Sequence, residues 1–215
     1  QYIDNKAYMY YGALPVLARL FLFPFVDLRE VPTSAFSIAL FSICGLVFLQ
    51  HALISKYLNK VKTSLDMVAF YSLSAVIWYG SATYLIAQDG QMYNEPFAAA
   101  LFLVNVFIGQ LIKDDFLLSE NHSLVPYAIL AGLATQARMP TALSLYACTV
   151  AFMFVVYIKS ARGIAKEQLL CLFGQHLLKQ AKPLLILLLF GMSVFLFNYL
   201  KFGDALSFMG LPGLY

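Results

Sequence analysis

The sequence predicts an all-α fold, a polytopic transmembrane helix bundle with an extracytoplasmic interfacial helix. Three observations predict it. Of the 215 residues, 61% are hydrophobic and 12% charged, about half the charge of an ordinary soluble domain. The apolar residues gather into runs close to the ~20 residues that a helix needs to cross a bilayer. The basic residues gather in loops that fall on one side of those runs. A net charge of +3 is too small to point to a nucleic-acid partner; the lipid bilayer is the expected one.

Residues 1–33 read as an extracytoplasmic loop. Within it the apolar run Val16 to Phe23 is interrupted by Arg19 and bracketed by Pro15 and Pro24. It is too short to span, so it is expected to lie at the membrane surface as an interfacial helix. Residues 34–200 read as a bundle of about six spans: 34–54, 66–87, 95–112, 117–135, 141–158 and 183–200. The fourth is the weakest. Its apolar core, Ser123 to Ala134, is short, and Pro126 falls within it. Residues 201–215 read as an extracytoplasmic tail. The chain begins at Gln1 and ends in LPGLY, and it reads as an internal piece of a longer membrane protein.

Orientation follows from lysine and arginine. Lys56, Lys60 and Lys62 follow the first span, and Lys159, Arg162, Lys166, Lys179 and Lys182 separate the fifth from the sixth. With six spans both loops share one side, which is then the cytoplasm. In the second loop, Leu169, Leu170, Phe173, Leu177 and Leu178 recur at helical spacing, as expected of a helix on the cytoplasmic lipid surface. Cys44, Cys148 and Cys171 show no paired spacing and read as small buried hydrophobes.

Two residues on the opposite side stand out. Arg138 lies in AGLATQARMPTAL among small and apolar neighbours. A guanidinium does not lose its proton and is costly in hydrocarbon. The economical arrangement ends one helix before Arg138 and starts the next after Pro140, leaving the cation at the membrane surface and available to an anion. Snorkelling at a helix end is its plainer reading. Glu95 precedes Pro96 in YNEPFAAA, where proline fits the first helical turn and the helix dipole favours a carboxylate. Glu95 could cap the helix, or it could bind a metal or orient a hydroxyl. An acid and an arginine on one face suit a substrate with a nucleophilic hydroxyl and a phosphate. Lys201, after the last span, could join Arg138 on a phosphate or anchor its helix end. His51, His122 and His176 lack ligand spacing, and Asp114 and Asp115 read as a solvated pair.

Four stretches then resemble one family. AYMYYGALPVLARLFLFPF, YNEPFAAAL, AGLATQARMPTAL and NYLKFGDAL are similar, in this order, to elements of polytopic GT-C type glycosyltransferases that use lipid-linked sugars. Met139 between Arg138 and Pro140 departs from the commonest form. The resemblance implies a multi-pass glycosyltransferase, in a bacterial inner (plasma) membrane, that takes a sugar from a polyprenyl-phosphate donor at the extracytoplasmic face. It implies that Arg138, with Lys201, binds the donor phosphate. Glu95 would position the acceptor or a divalent metal ion, the one candidate cofactor. Tyr8, Tyr10 and Pro15 would lie at the interface or against the lipid tail. The usual base is an acid in a loop after a first helix that this chain is expected to lack. A transporter or flippase of an anionic lipid would use the same arginine without chemistry. In a non-catalytic membrane subunit, Glu95 and Arg138 would be only a cap and an anchor.

Overall fold

The computed structural model describes residues 2–3, 6–7, 14–20, 24–25, 34–87, 94–117, 123–161 and 169–203. Apart from a two-residue antiparallel pair, β1 (Tyr2–Ile3) with β2 (Lys6–Ala7), the regular structure is helical. The helices are α1 (Leu14–Leu20), α2 (Ser34–Tyr57), α3 (Ser64–Tyr79), α4 (Ala82–Ala87), α5 (Glu95–Lys113), α6 (Val125–Ala134), α7 (Met139–Ala161), α8 (Leu169–Lys179) and α9 (Ala181–Phe202). Four are long and apolar enough to cross a membrane: α2, α5, α7 and residues Ala181–Leu200 of α9. The chain is an integral, multi-pass membrane protein built as an all-α bundle.

The two other expected spans differ from expectation. The stretch 66–87 is not one helix. It starts at Ser64, because Thr63 and Asp66 form a reciprocal capping box that satisfies two otherwise orphaned backbone donors. It then breaks at Gly80 and Ser81, both poor helix formers, and resumes as α4, where the Tyr84 N–H turns back to Ser81. The stretch 117–135 is helical only over Val125–Ala134. Pro126 fits the first turn and no later one, and Asp115 and Phe116 take positive φ (50° and 53°), which closes the end of α5.

Side-chain contacts fix the direction of each segment. Phe41 meets Phe102, Gly45 abuts Asn105, Phe48 covers Gly109, and Lys56 pairs with Asp115. Helices α2 and α5 therefore run parallel, with α3 and α4 as the return between them. The Tyr127 hydroxyl donates to Asp114 (2.8 Å), while Arg138 lies against Phe97, so α6 runs antiparallel to α5. Phe107 stacks on Phe152 (5.8 Å), so α7 runs with α5. The Tyr146 hydroxyl reaches the Leu187 carbonyl (2.9 Å) and Gln136 reaches Ser193 (3.2 Å), so α9 runs back. Lys56, Lys60, Lys62, Lys113 and Lys159 share one end; Ser34, Glu95 and Arg138 share the other. The first end is the one at which the lysines collect, as the positive-inside expectation requires of a cytoplasmic end. Helix α8 docks on α7 through His176, whose Nε2–H donates to the Met153 carbonyl (3.1 Å), and through Tyr157 on Phe173.

Lipid supplies no hydrophobic drive between helices, so close packing and buried hydrogen bonds must hold them. A Cβ on Gly109 would come within 2.9 Å of the Phe48 ring, and one on Gly45 within 3.2 Å of the Phe102 Cα; α2 and α5 approach through these glycines. Asp114 and Asp115 are not a solvated pair. Asp114 accepts from Tyr127 and Gln110, and Asp115 pairs with Lys56. Cys44 and Cys148 are exposed on the outer faces of α2 and α7 rather than buried. Between α5 and α4, the buried Asn105 Nδ2 donates to Thr83 Oγ1 (3.1 Å). A double-mutant cycle with Asn105→Ala and Thr83→Val, read by thermal unfolding in nanodiscs, is expected to give a coupling of about 0.6 kcal/mol. A coupling of zero would mean that the bond holds nothing.

Candidate functional site at the Arg138 end of the bundle

The site is assembled at the starts of α5 and α7. Helix α5 begins at Glu95 with Pro96 in its first turn, where a missing N–H costs nothing. Ala98, Ala99 and Ala100 follow, all buried, and their small side chains let neighbouring helices come close. Glu95 is 3% exposed. Its Oε1 accepts from Arg19 Nε at 2.9 Å, and its Oε2 accepts from Arg19 Nη2. This is a side-on, two-point ion pair between α1 and α5. A hydroxyl or a divalent metal would reach the carboxylate only after α1 withdrew. Among the described residues, no group of three or more His, Cys, Asp or Glu side chains could hold a metal ion.

Arg138 sits where the sequence places it, between two helices. Helix α6 ends at Ala134 and a tight turn follows. The N–H groups of Thr135, Gln136, Ala137 and Arg138 donate back to Gly132, Leu133 and twice to Ala134 at 2.9 to 3.1 Å. The next helix starts at Met139, two residues earlier than expected, and the Arg138 carbonyl accepts from the Ala142 N–H (3.0 Å). Pro140 needs no partner in that first turn. The Arg138 side chain is exposed, and its guanidinium carbon lies 3.6 Å above the centroid of the Phe97 ring, a cation–π contact. Among the described residues Arg138 has no carboxylate partner. Phe97 is two residues from Glu95, but that acid is already taken by Arg19.

Helix α1 ties these parts together. Its first residue, Leu14, donates its N–H to the Gln136 carbonyl (3.3 Å), and Arg19 near its other end holds Glu95. The stretch expected as an interfacial helix is helical over Leu14–Leu20; residues 21–23 of its apolar run lie outside the described residues. A groove of about 280 Å³ opens between α7 and α9, reaching Met139, the residue after Arg138. Thr135, Met139, Ala142, Tyr146, Gly191 and Phe195 line it. The Thr135 hydroxyl is bonded to Gly132 and that of Tyr146 to Leu187, so the groove presents hydrocarbon.

The structure thus brings Glu95 and Arg138 to one end of the bundle and adds Arg19, Phe97 and Gln136, none of which the sequence had singled out for the site. Arg19 carried a usable signal, since a charge inside a short apolar run needs a partner. Phe97 and Gln136 carried none. Lys201 lies in the last turn of α9, eight residues past Ser193; its side chain lies outside the described residues. So do Tyr8, Tyr10 and the side chain of Pro15. Comparison with known protein families, curated proteins and solved structures finds no match to this chain.

Proposed function

We propose that the chain is part of a membrane glycosyltransferase that moves a sugar from a polyprenyl-phosphate donor to an acceptor at the extracytoplasmic face. The reading draws on the four stretches that resemble GT-C type enzymes, and its seat in a bacterial plasma membrane follows from the same resemblance. One observation carries it: Arg138 is an exposed arginine at the end of the bundle, without a carboxylate partner among the described residues, and its neighbour Met139 lines an apolar groove. That combination suits an amphiphile with a phosphate head and a hydrocarbon tail. Arg138 would grip the donor phosphate through charge-assisted hydrogen bonds. As the bond from the anomeric carbon to the phosphate oxygen breaks, it would hold the negative charge collecting on that oxygen. The acceptor oxygen forms the new bond, and its proton passes to a carboxylate base of the kind that the resemblance implies. The tail would lie between α7 and α9 rather than against Pro15.

A transporter of an anionic lipid has one observation in its favour, the helix break at Gly80, since broken helices are common at transport sites. The break lies beside Thr83 and Asn105, away from Arg138. The deciding experiment reconstitutes the protein in liposomes with a radiolabelled polyprenyl-phosphate sugar and an alcohol acceptor. Transfer yields a labelled glycoside and free polyprenyl phosphate. Relocation of intact donor between leaflets, with no glycoside, would overturn the reading.

A further inference from the structure

We propose that Arg19 is a positioning residue that acts through charge: by neutralising Glu95 it leaves Arg138 free for a lipid-borne phosphate. This rests on the reading of Arg138 as the phosphate site. Three charges meet at this end of the bundle. Glu95 and Phe97 are two residues apart on α5, about 3 Å along its axis but on different faces of the helix, and Arg138 lies on the Phe97 ring. Without Arg19, Glu95 would be an uncompensated negative charge at the same end of the bundle as Arg138, and it would oppose the binding of any anion there. With Arg19 in place, both Glu95 oxygens are occupied and the acid is buried, so it offers Arg138 nothing. The three side chains then sum to one positive charge, carried on the one that is exposed. The position of α1 matters for the same reason. Leu14 is bonded to Gln136, two residues before Arg138, so the helix that neutralises Glu95 is also fastened to the turn that presents the cation.

The test is a set of charge changes read by binding of farnesyl phosphate to the protein in nanodiscs, with uncharged farnesol as control. The wild-type sum is +1. Arg19→Ala lowers it to 0, Glu95→Gln raises it to +2, and the double variant restores +1. A unit charge about 12 Å away, in an effective dielectric of about 20, changes anion affinity by about tenfold. Arg19→Ala is therefore expected to weaken binding about tenfold, Glu95→Gln to tighten it several-fold, and the double variant to return close to wild type. Arg19→Lys, which keeps the charge and loses the two-point geometry, is expected to stay within a few-fold of wild type. Farnesol binding should not follow this order, and added salt should compress it.

A purely mechanical role for the ion pair predicts another order. Every variant would loosen α1 and weaken binding, and the double variant would not recover. Should Arg19→Ala fail to fold with an unpaired buried acid, Glu95→Gln and the double variant still decide, because only the charge account has the first bind more tightly than wild type. Weaker binding by Glu95→Gln overturns the proposal. Arg138→Ala separates the two readings. If it binds farnesyl phosphate as wild type does, the phosphate site itself is wrong. If it loses binding while the charge order fails, only the role of Arg19 is wrong.

Discussion

Arg138→Ala is expected to lower sugar transfer at least about 100-fold, the scale on which removing one preorganised charge-stabilising group acts. The fold should survive. The turn that carries Arg138 is held by backbone bonds from residues 135–138, none of which needs the guanidinium, and the side chain is exposed over Phe97. Arg138→Lys should recover only part of the loss, because an ammonium keeps the charge but not the fork that engages two phosphate oxygens. The measurement is turnover in liposomes beside size-exclusion and thermal profiles of the same preparations. Undiminished turnover by the alanine variant would remove the phosphate role and the proposed chemistry with it.

The second large effect is expected at Gly132. Helix α6 lies on α9 there, and a Cβ on Gly132 would come within 2.3 Å of Phe190 Cδ2, 2.5 Å of Cγ and 3.0 Å of Cβ. Turning the ring cannot relieve contacts that extend to its own Cβ, so the helices must part. In an isolated helix, glycine to alanine would gain about 1 kcal/mol. Overpacking costs about 1 to 3 kcal/mol and should win. Gly132→Ala is expected to lower the melting temperature in nanodiscs and to reduce turnover, because α6 delivers Arg138. Phe190→Ala in the same chain should restore both. An unchanged or raised melting temperature in the single variant would mean that α6 and α9 do not approach this closely.

What could be read beforehand follows from what lipid demands. A long apolar run flanked by lysines has few alternatives, so α2, α5, α7 and α9 were legible to within a few residues. The position of Arg138 was legible for the same reason, since an arginine among small residues beside a proline forces a break. The interruption at Gly80 was not, because Trp78 to Ile86 stays uncharged across it and hydropathy does not register backbone turns. Thr63 and Asp66 did carry a readable start signal for α3. The partner of Glu95 was out of reach: Arg19 lies 76 residues away, and only the packing of α1 on α5 brings them together. The fates of Asp114 and Asp115 were hidden likewise, since Tyr127 and Lys56 reach them from other helices.

The shortness of α6 has a consequence for the shape of the outer surface. Ten residues rise about 15 Å, roughly half the hydrocarbon thickness of a bilayer. Helix α9 passes that level at Ser193 and continues to Phe202, about 13 Å further. The Arg138 turn is therefore a ledge set below the rim, walled on one flank by α9. A molecule embedded in the outer leaflet can slide onto such a ledge sideways at its own depth, whereas one dissolved in water must descend to it from above.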